Sequence, residues 1–176
     1  MIYLDSSALV KLALSEPESA ALASYLAMRA DQALVSSTLH RAEVLRAIWR
    51  AEPGALPRAQ RIIRRISLIS LSHDLLDNAA TQAPAGLPTS AAIHLASALA
   101  VKRDLTAFVA YDTHLLEAAE AAGLPVASPA LGSRLQKAGR SESSLPGTET
   151  SQPEGRVRRL KRWSGRRTSP RRAKVW

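Results

Sequence analysis

Three uncharged β-formers, Ile2-Tyr3-Leu4, stop abruptly at Asp5-Ser6-Ser7 and give way to Ala8-Leu9-Val10-Lys11-Leu12, which can run on as a helix. A strand that turns straight into a helix is the opening unit of an α/β sheet. In such a sheet the carboxyl ends of the strands border the ligand crevice, so a carboxylate placed where the first strand ends would face that crevice. Asp5 is the first candidate for chemistry on this ground. Asp5, Ser6 or Ser7 could equally cap the helix by accepting a backbone N–H bond.

The rest of the first 130 residues repeats the alternation. Ala8 to Leu14 reads as a short helix, and Ser15-Glu16-Pro17-Glu18 restarts it with Pro17 in a first helical turn. Further strands are expected at Ala33-Leu34-Val35-Ser36, Ile66 to Leu71 and Ala107 to Tyr111. Between them fall helices over Thr38 to Trp49, Leu56 to Arg65, Asp74 to Ala83, Ala91 to Lys102 and His114 to Ala122. Thr89 or Ser90 is the expected cap of the fourth of these, and Gly123 the terminator of the last. The pattern predicts an α/β sandwich with a mostly parallel sheet. Aromatic residues make up only 4% of the chain, so its core must be built from Leu, Ile, Val and Ala.

Charge divides the chain in two. Residues 1–130 carry 11 Lys/Arg against 12 Asp/Glu, a net −1, whereas residues 131–176 carry 13 against 3, a net +10. The overall +9 therefore describes the tail and not the domain. Residues 139–155 are rich in Ser, Gly, Pro, Thr and Glu, and arginines and lysines broken by Trp163 and Trp176 follow. A segment this polar cannot bury enough surface to offset its ordering entropy, so 131–176 is expected to be a disordered basic tail appended to a domain of residues 1–130. It reads either as a nucleic-acid-binding arm, with arginines for phosphates and Trp163 for a base, or as an extension without a role. With no cysteine, no long apolar run and no signal-like start, a cytoplasmic protein is expected.

Asp5 and Asp112 share one placement, an acid after an apolar strand, and Glu43 lies on a helix able to pack beside them. Acids converging on one crevice repel unless a cation offsets their charge, and oxygen-only ligation suits Mg²⁺ or Mn²⁺. Glu43 near a helix N-terminus could also serve the helix dipole alone. Rival chemistries are missing: His40, His73, His94 and His114 lack metal-binding spacing, and there is no phosphate loop and no serine nucleophile elbow. A phospho-receiver would want an acidic pair after the first strand, where this chain has Ser6-Ser7.

Asp5-Ser-Ser-Ala-Leu-Val-Lys11, Arg41-Ala-Glu43-Val-Leu45, Ala92-Ile-His-Leu-Ala96 and Phe108-Val-Ala-Tyr-Asp112, in this order, resemble the PIN-domain family, specifically the VapC toxins of bacterial toxin–antitoxin pairs. The resemblance spans roughly residues 1–129. It implies a three-layer α/β/α fold, an Mg²⁺-dependent endoribonuclease whose metal is held by Asp5, Glu43 and Asp112, a VapB-type antitoxin partner and homodimerisation. Ser7 is the polar neighbour of Asp5, and Lys11, Arg41 and Arg46 are candidates to guide RNA. The family pattern places an aspartate just before Ala-Ile-His-Leu-Ala, and here that residue is Ala91. A missing ligand implies weakened activity, with a catalytically inactive domain that binds antitoxin or RNA as the alternative. Ser90 is expected to project elsewhere on the helix, while His94 shares a face with position 91 and is either a packed structural histidine or a substitute ligand.

Overall fold

The computed structural model describes residues 1–130; the expected disordered tail lies outside the described residues. Five parallel strands form the central sheet: β1 (Ile2–Leu4), β2 (Leu34–Ser37), β3 (Ser67–Ile69), β4 (Ala107–Val109) and β5 (Val126–Ala127), in the order β3-β2-β1-β4-β5. Tyr3 pairs with Val35 on one side and Phe108 on the other, so β1 is the middle strand. Strands this short and flanked on both sides need apolar residues throughout, which Ile2, Tyr3 and Leu4 supply, all fully buried.

Among the described residues the α-helices are α1 (Ser6–Ala13), α2 (Ser19–Ala27), α3 (His40–Ala51), α4 (Leu56–Ile63), α5 (His73–Ala80), α6 (Thr89–Ala100) and α7 (Thr113–Ala121). From β1 the chain builds outward to β2 and β3, then returns to the far side of β1 for β4 and β5. Crossovers between parallel strands keep one hand, so this reversal sends the two sets of connecting helices to opposite faces. Ile2, Leu4, Ala107 and Val109 accordingly pack with residues of α1 to α4, including Leu9, Leu22, Val44, Ile48 and Ile63. Tyr3, Val35 and Phe108 pack on the other face with Leu95, Ala98, Leu115 and Ala118 of α6 and α7. Leu75 and Ala79 of α5 meet Ala92 and Ala96 of α6 beside them. The three-layer α/β/α sandwich follows, and the reversal point lies between β1 and β4, where an open α/β sheet leaves its crevice.

Several boundaries differ from the sequence expectation, with local causes. Pro17 is not in a helix: α2 begins only at Ser19, because Glu16 and Glu18 are drawn back to Lys11 (2.6 and 2.7 Å) and the Ser19 hydroxyl donates to the carbonyls of Lys11 and Leu14. Neither Thr89 nor Ser90 caps α6; Pro88 holds that position and both lie in the first turn. Helix α5 ends at Ala80, and Ser72 caps it by accepting from the N–H of Leu75. Strand β4 stops at Val109, two residues short of Tyr111. Gly123 does sit at φ +73° after α7, a backbone conformation that favours glycine.

Candidate active site

Asp5 follows β1 directly and caps α1, its Oδ2 accepting from the Ser7 N–H (2.9 Å) and from the Ser7 hydroxyl (2.6 Å). Capping and a role in the crevice do not compete, since both bonds fall on Oδ2. His94 Nε2 lies 3.6 Å from Oδ1. Ser7 Oγ accepts from the N–H of Tyr111, which ties the end of β1 to the segment that follows β4.

Glu43 lies in the first turn of α3 and is half-buried, beside the buried face of His40, Val44 and Ile48. Its Oε2 accepts from the Ser6 hydroxyl (2.6 Å) and from His94 Nε2 (2.8 Å). His94, 1% exposed, lies on α6 and reaches the same place from the other layer. Its Nδ1 is 2.8 Å from the Tyr3 hydroxyl oxygen, and that oxygen already accepts from the N–H of Ser37 (3.1 Å). An ionised carboxylate can only accept, so Nε2, 2.8 Å from Glu43 Oε2 and 3.2 Å from the Ser6 oxygen, carries the imidazole proton, and a neutral imidazole then accepts the phenolic hydrogen at Nδ1. Burial, reinforced by the negative charge of Asp5, pushes the Tyr3 phenol well above its ordinary range, so its proton stays in place.

Burial alone would raise the Glu43 carboxyl. The hydrogen bonds from His94 and Ser6, with a contribution from Ser90, outweigh it and hold the carboxyl below the ordinary glutamate range. Burial also drives His40 down; its Nδ1 meets the Ser37 carbonyl (2.7 Å) while its buried Nε2 has no partner among the described residues.

Asp5 and Glu43 are thus drawn together through His94 and Ser6. Asp112 is exposed and caps α7, its Oδ1 accepting from the Leu115 N–H (3.1 Å), and no bond joins it to the other two acids among the described residues. No group of three or more His, Cys, Asp or Glu side chains in metal-holding arrangement occurs among the described residues. Asp112 gives one carboxylate oxygen to the cap of its own helix and keeps the other outside that bond, while Ala91 is apolar, 7% exposed and packed in the core with Tyr3 and Leu95. His94 is a buried histidine that donates to Glu43 and lies 3.6 Å from Asp5.

Lys11 is not free to guide a ligand, being held by Glu16 and Glu18 and lying 4.8 Å from the Tyr111 ring centre. A groove of about 500 Å³ runs from the site between α1 and α3, lined by Ser6, Ser7, Glu43, Arg46 and Arg50 among others. Two larger grooves, of about 720 and 830 Å³, lie against α5, α6 and α7 and include neither Asp5 nor Glu43. Sequence reading missed Tyr3 and Ser6. A tyrosine in a central strand was the available signal for the first, because a buried phenol requires a hydrogen-bond partner.

The PIN domain family matches this chain over residues 2–121. Ribonuclease VapC47 of Mycobacterium tuberculosis (strain CDC 1551 / Oshkosh) is 41% identical over 132 residues, covering 73% of this chain and 97% of the relative. Ribonuclease VapC46 of Mycobacterium tuberculosis (strain ATCC 25618 / H37Rv) is 42% identical over 128 residues, with the same coverage. Among solved structures, Mycobacterium tuberculosis VapC20, a Sarcin-Ricin loop cleaving toxin, superposes with a TM-score of 0.54 at 16% identity, covering 70% of this chain and 96% of that one. VapBC2 of Rickettsia felis, bound to a DNA fragment from its promoter, gives 0.54 at 14% identity, covering 73% and 99%. At such identities the structural likeness concerns the fold alone.

Proposed function

We infer what this chain does from one premise: it belongs to the PIN domain family. It is a VapC-type ribonuclease, the toxin of a toxin–antitoxin pair, and cuts RNA internally. The observation that supports the reading is the pair of acids at the reversal point of the sheet, Asp5 and Glu43, each with its hydrogen bonds gathered on a single oxygen. That leaves Oδ1 of Asp5 and Oε1 of Glu43 outside those bonds, a hard-oxygen donor set that fits Mg²⁺ or Mn²⁺, since Mg²⁺ needs only one or two carboxylates and keeps several waters. We assign Asp5 and Glu43 to the metal, with Asp112 as the third acid of the same edge. When bound, the ion supplies charge neutralisation at the phosphate and lowers the pKa of a water.

The chain's own residues do the positioning. Ser7 fixes the Asp5 carboxylate, while Ser6 and His94 fix Glu43 and keep it ionised; His94 is oriented in turn by Tyr3. The crevice is open beside them along α1 and α3, where a strand of RNA can enter. A VapB-type antitoxin, pairing of the chain as a homodimer and a cytoplasmic location complete the proposal; no helix among the described residues is long and apolar enough to cross a membrane.

Ala91 favours a second reading, a PIN domain that binds antitoxin or RNA without cutting. One assay separates the two: cleavage of a structured RNA by the full chain as Mg²⁺ is raised, with Asp5→Asn and Glu43→Gln alongside. Metal-dependent cleavage that both substitutions abolish supports the ribonuclease. Cleavage no faster than in the double variant, with RNA or antitoxin still bound, supports the inactive domain.

A further inference from the structure

Beside the carboxylates, α3 carries a strip of residues that the chemistry above does not use. Arg46 and Arg50 line the groove that begins at Ser6, Ser7 and Glu43, and both are exposed. They are four residues apart, about 6 Å along one face of the helix. Neither guanidinium has an ion-pair partner among the described residues, in contrast to Lys11 on the facing helix. Trp49, one residue before Arg50 and three after Arg46, is 60% exposed and stands beside the groove lining, not in it. Helix α3 buries Val44 and Ile48 inward, so its outward charge and its indole contribute nothing to the core.

We propose that Arg46, Arg50 and Trp49 form a track for single-stranded RNA, the two guanidiniums each taking a phosphate and the indole stacking on a base, which leads the strand to Glu43. The inference rests on the ribonuclease reading and names the substrate-holding residues of that site. Two arginines at the spacing of one helical turn match successive phosphates, and planar donors suit phosphate oxygens better than a lysine would. An exposed tryptophan flanked by cations is the element that sequence-tolerant binding of single strands uses. The groove carries two positive charges against the one negative of Glu43, so its complement is an anion. The chain's own residues 131–176, at net +10, are not that complement. Because the track grips backbone and base face, it holds the strand without choosing the sequence to be cut.

The test is binding of a fluorescent single-stranded oligoribonucleotide to the full chain in EDTA, where no metal-dependent cutting intervenes. The double variant Arg46→Ala/Arg50→Ala is compared with Arg64→Ala/Arg65→Ala, which removes equal charge from exposed positions at the end of α4 and controls for attraction by the tail. The track predicts at least roughly a tenfold loss of affinity for the first pair at low salt. Its log–log salt dependence should be shallower by about 1.4, from two single-strand phosphate contacts at about 0.7 each. The control should do neither. Trp49→Ala should lose roughly tenfold and Trp49→Phe much less, as stacking requires. Unchanged melting temperatures confirm that these surface changes leave the fold intact. If the Arg46/Arg50 variant binds like the control, the track is wrong. If it binds RNA normally but no longer captures a co-expressed VapB-type antitoxin, the surface belongs to a protein and the proposal is again wrong. A chain that never cuts RNA, yet shows the Arg46/Arg50 dependence, would sink the ribonuclease reading and leave the track standing.

Discussion

The Tyr3 hydroxyl lies 2.8 Å from Nδ1 of His94, both side chains buried, so a residue of the central strand decides which imidazole nitrogen faces the carboxylates. Tyr3→Phe keeps the stack on Phe108 (ring centres 5.2 Å apart) but strands the Ser37 N–H and Nδ1 without partners. The expected cost is about 1–3 kcal/mol, a fall of several degrees in melting temperature. Cleavage should fall further than the lost stability explains, because the imidazole can then turn its bare nitrogen to Glu43. An unchanged melting curve would show that this bond contributes nothing.

Deleting residues 131–176 should leave the domain's melting temperature unchanged, since the apolar strands and helices of residues 1–130 form a core of their own and the polar composition of the tail offers little to bury. RNA binding should lose much of its salt dependence as the net charge falls from +9 to −1. Calorimetry of the truncated and full chains checks the first part, and a salt titration of binding checks the second.

The layers and the parallel sheet were legible from the chain because short apolar runs alternate with helical ones, and a parallel sheet demands just that pattern. Asp5 could be read as a cap or as chemistry, and it has the geometry of both, each oxygen taking one part. The tie between Glu43 and His94 was not legible: 51 residues separate them, and they meet only because α3 and α6 pack on opposite faces of the sheet and reach its edge together. Lys11 failed as a guide for RNA for a similar reason, since nothing local to Lys11 shows that Glu16 and Glu18 will fold back on it. Asp112 follows β4, and like Asp5 it caps the next helix with one oxygen of its carboxylate.

Stability should fall with acid, and His40 sets where the fall begins. Burial depresses its pKa, so the folded chain takes up the proton less readily than the unfolded one, and stability rises with pH wherever the unfolded state binds more protons. The contribution is whole above about pH 6.5, the ordinary histidine value, and is lost as pH drops below it. Glu43, also depressed, adds a second loss that begins near the ordinary glutamate value. Thermal unfolding between pH 8 and about pH 3 checks both steps. His40→Asn should flatten the first step, and an equally steep fall in that variant would assign it to another group.

Ala91 is the position where sequence and site disagree most usefully. It is 7% exposed and lies one turn before His94 on the same side of α6, so a carboxylate introduced there meets Asp5 and Glu43 in a largely dry setting. Without metal, Ala91→Asp should therefore destabilise the chain, through burial of a charge and repulsion from two like charges. With Mg²⁺ the sign should reverse, because a third carboxylate strengthens the hold on the ion and the ion cancels the repulsion. Melting temperature measured with EDTA and with Mg²⁺ should show a loss in the first case and a recovery in the second. Cleavage at fixed Mg²⁺ should rise by on the order of 10–100-fold, the scale on which ligand environments alter metal sites. Adding Asp5→Ala should erase both the recovery and the gain, since the two residues act through one ion. If the natural chain already cuts as fast as Ala91→Asp, and Mg²⁺ stabilises both equally, two carboxylates are sufficient and the missing acid has no consequence.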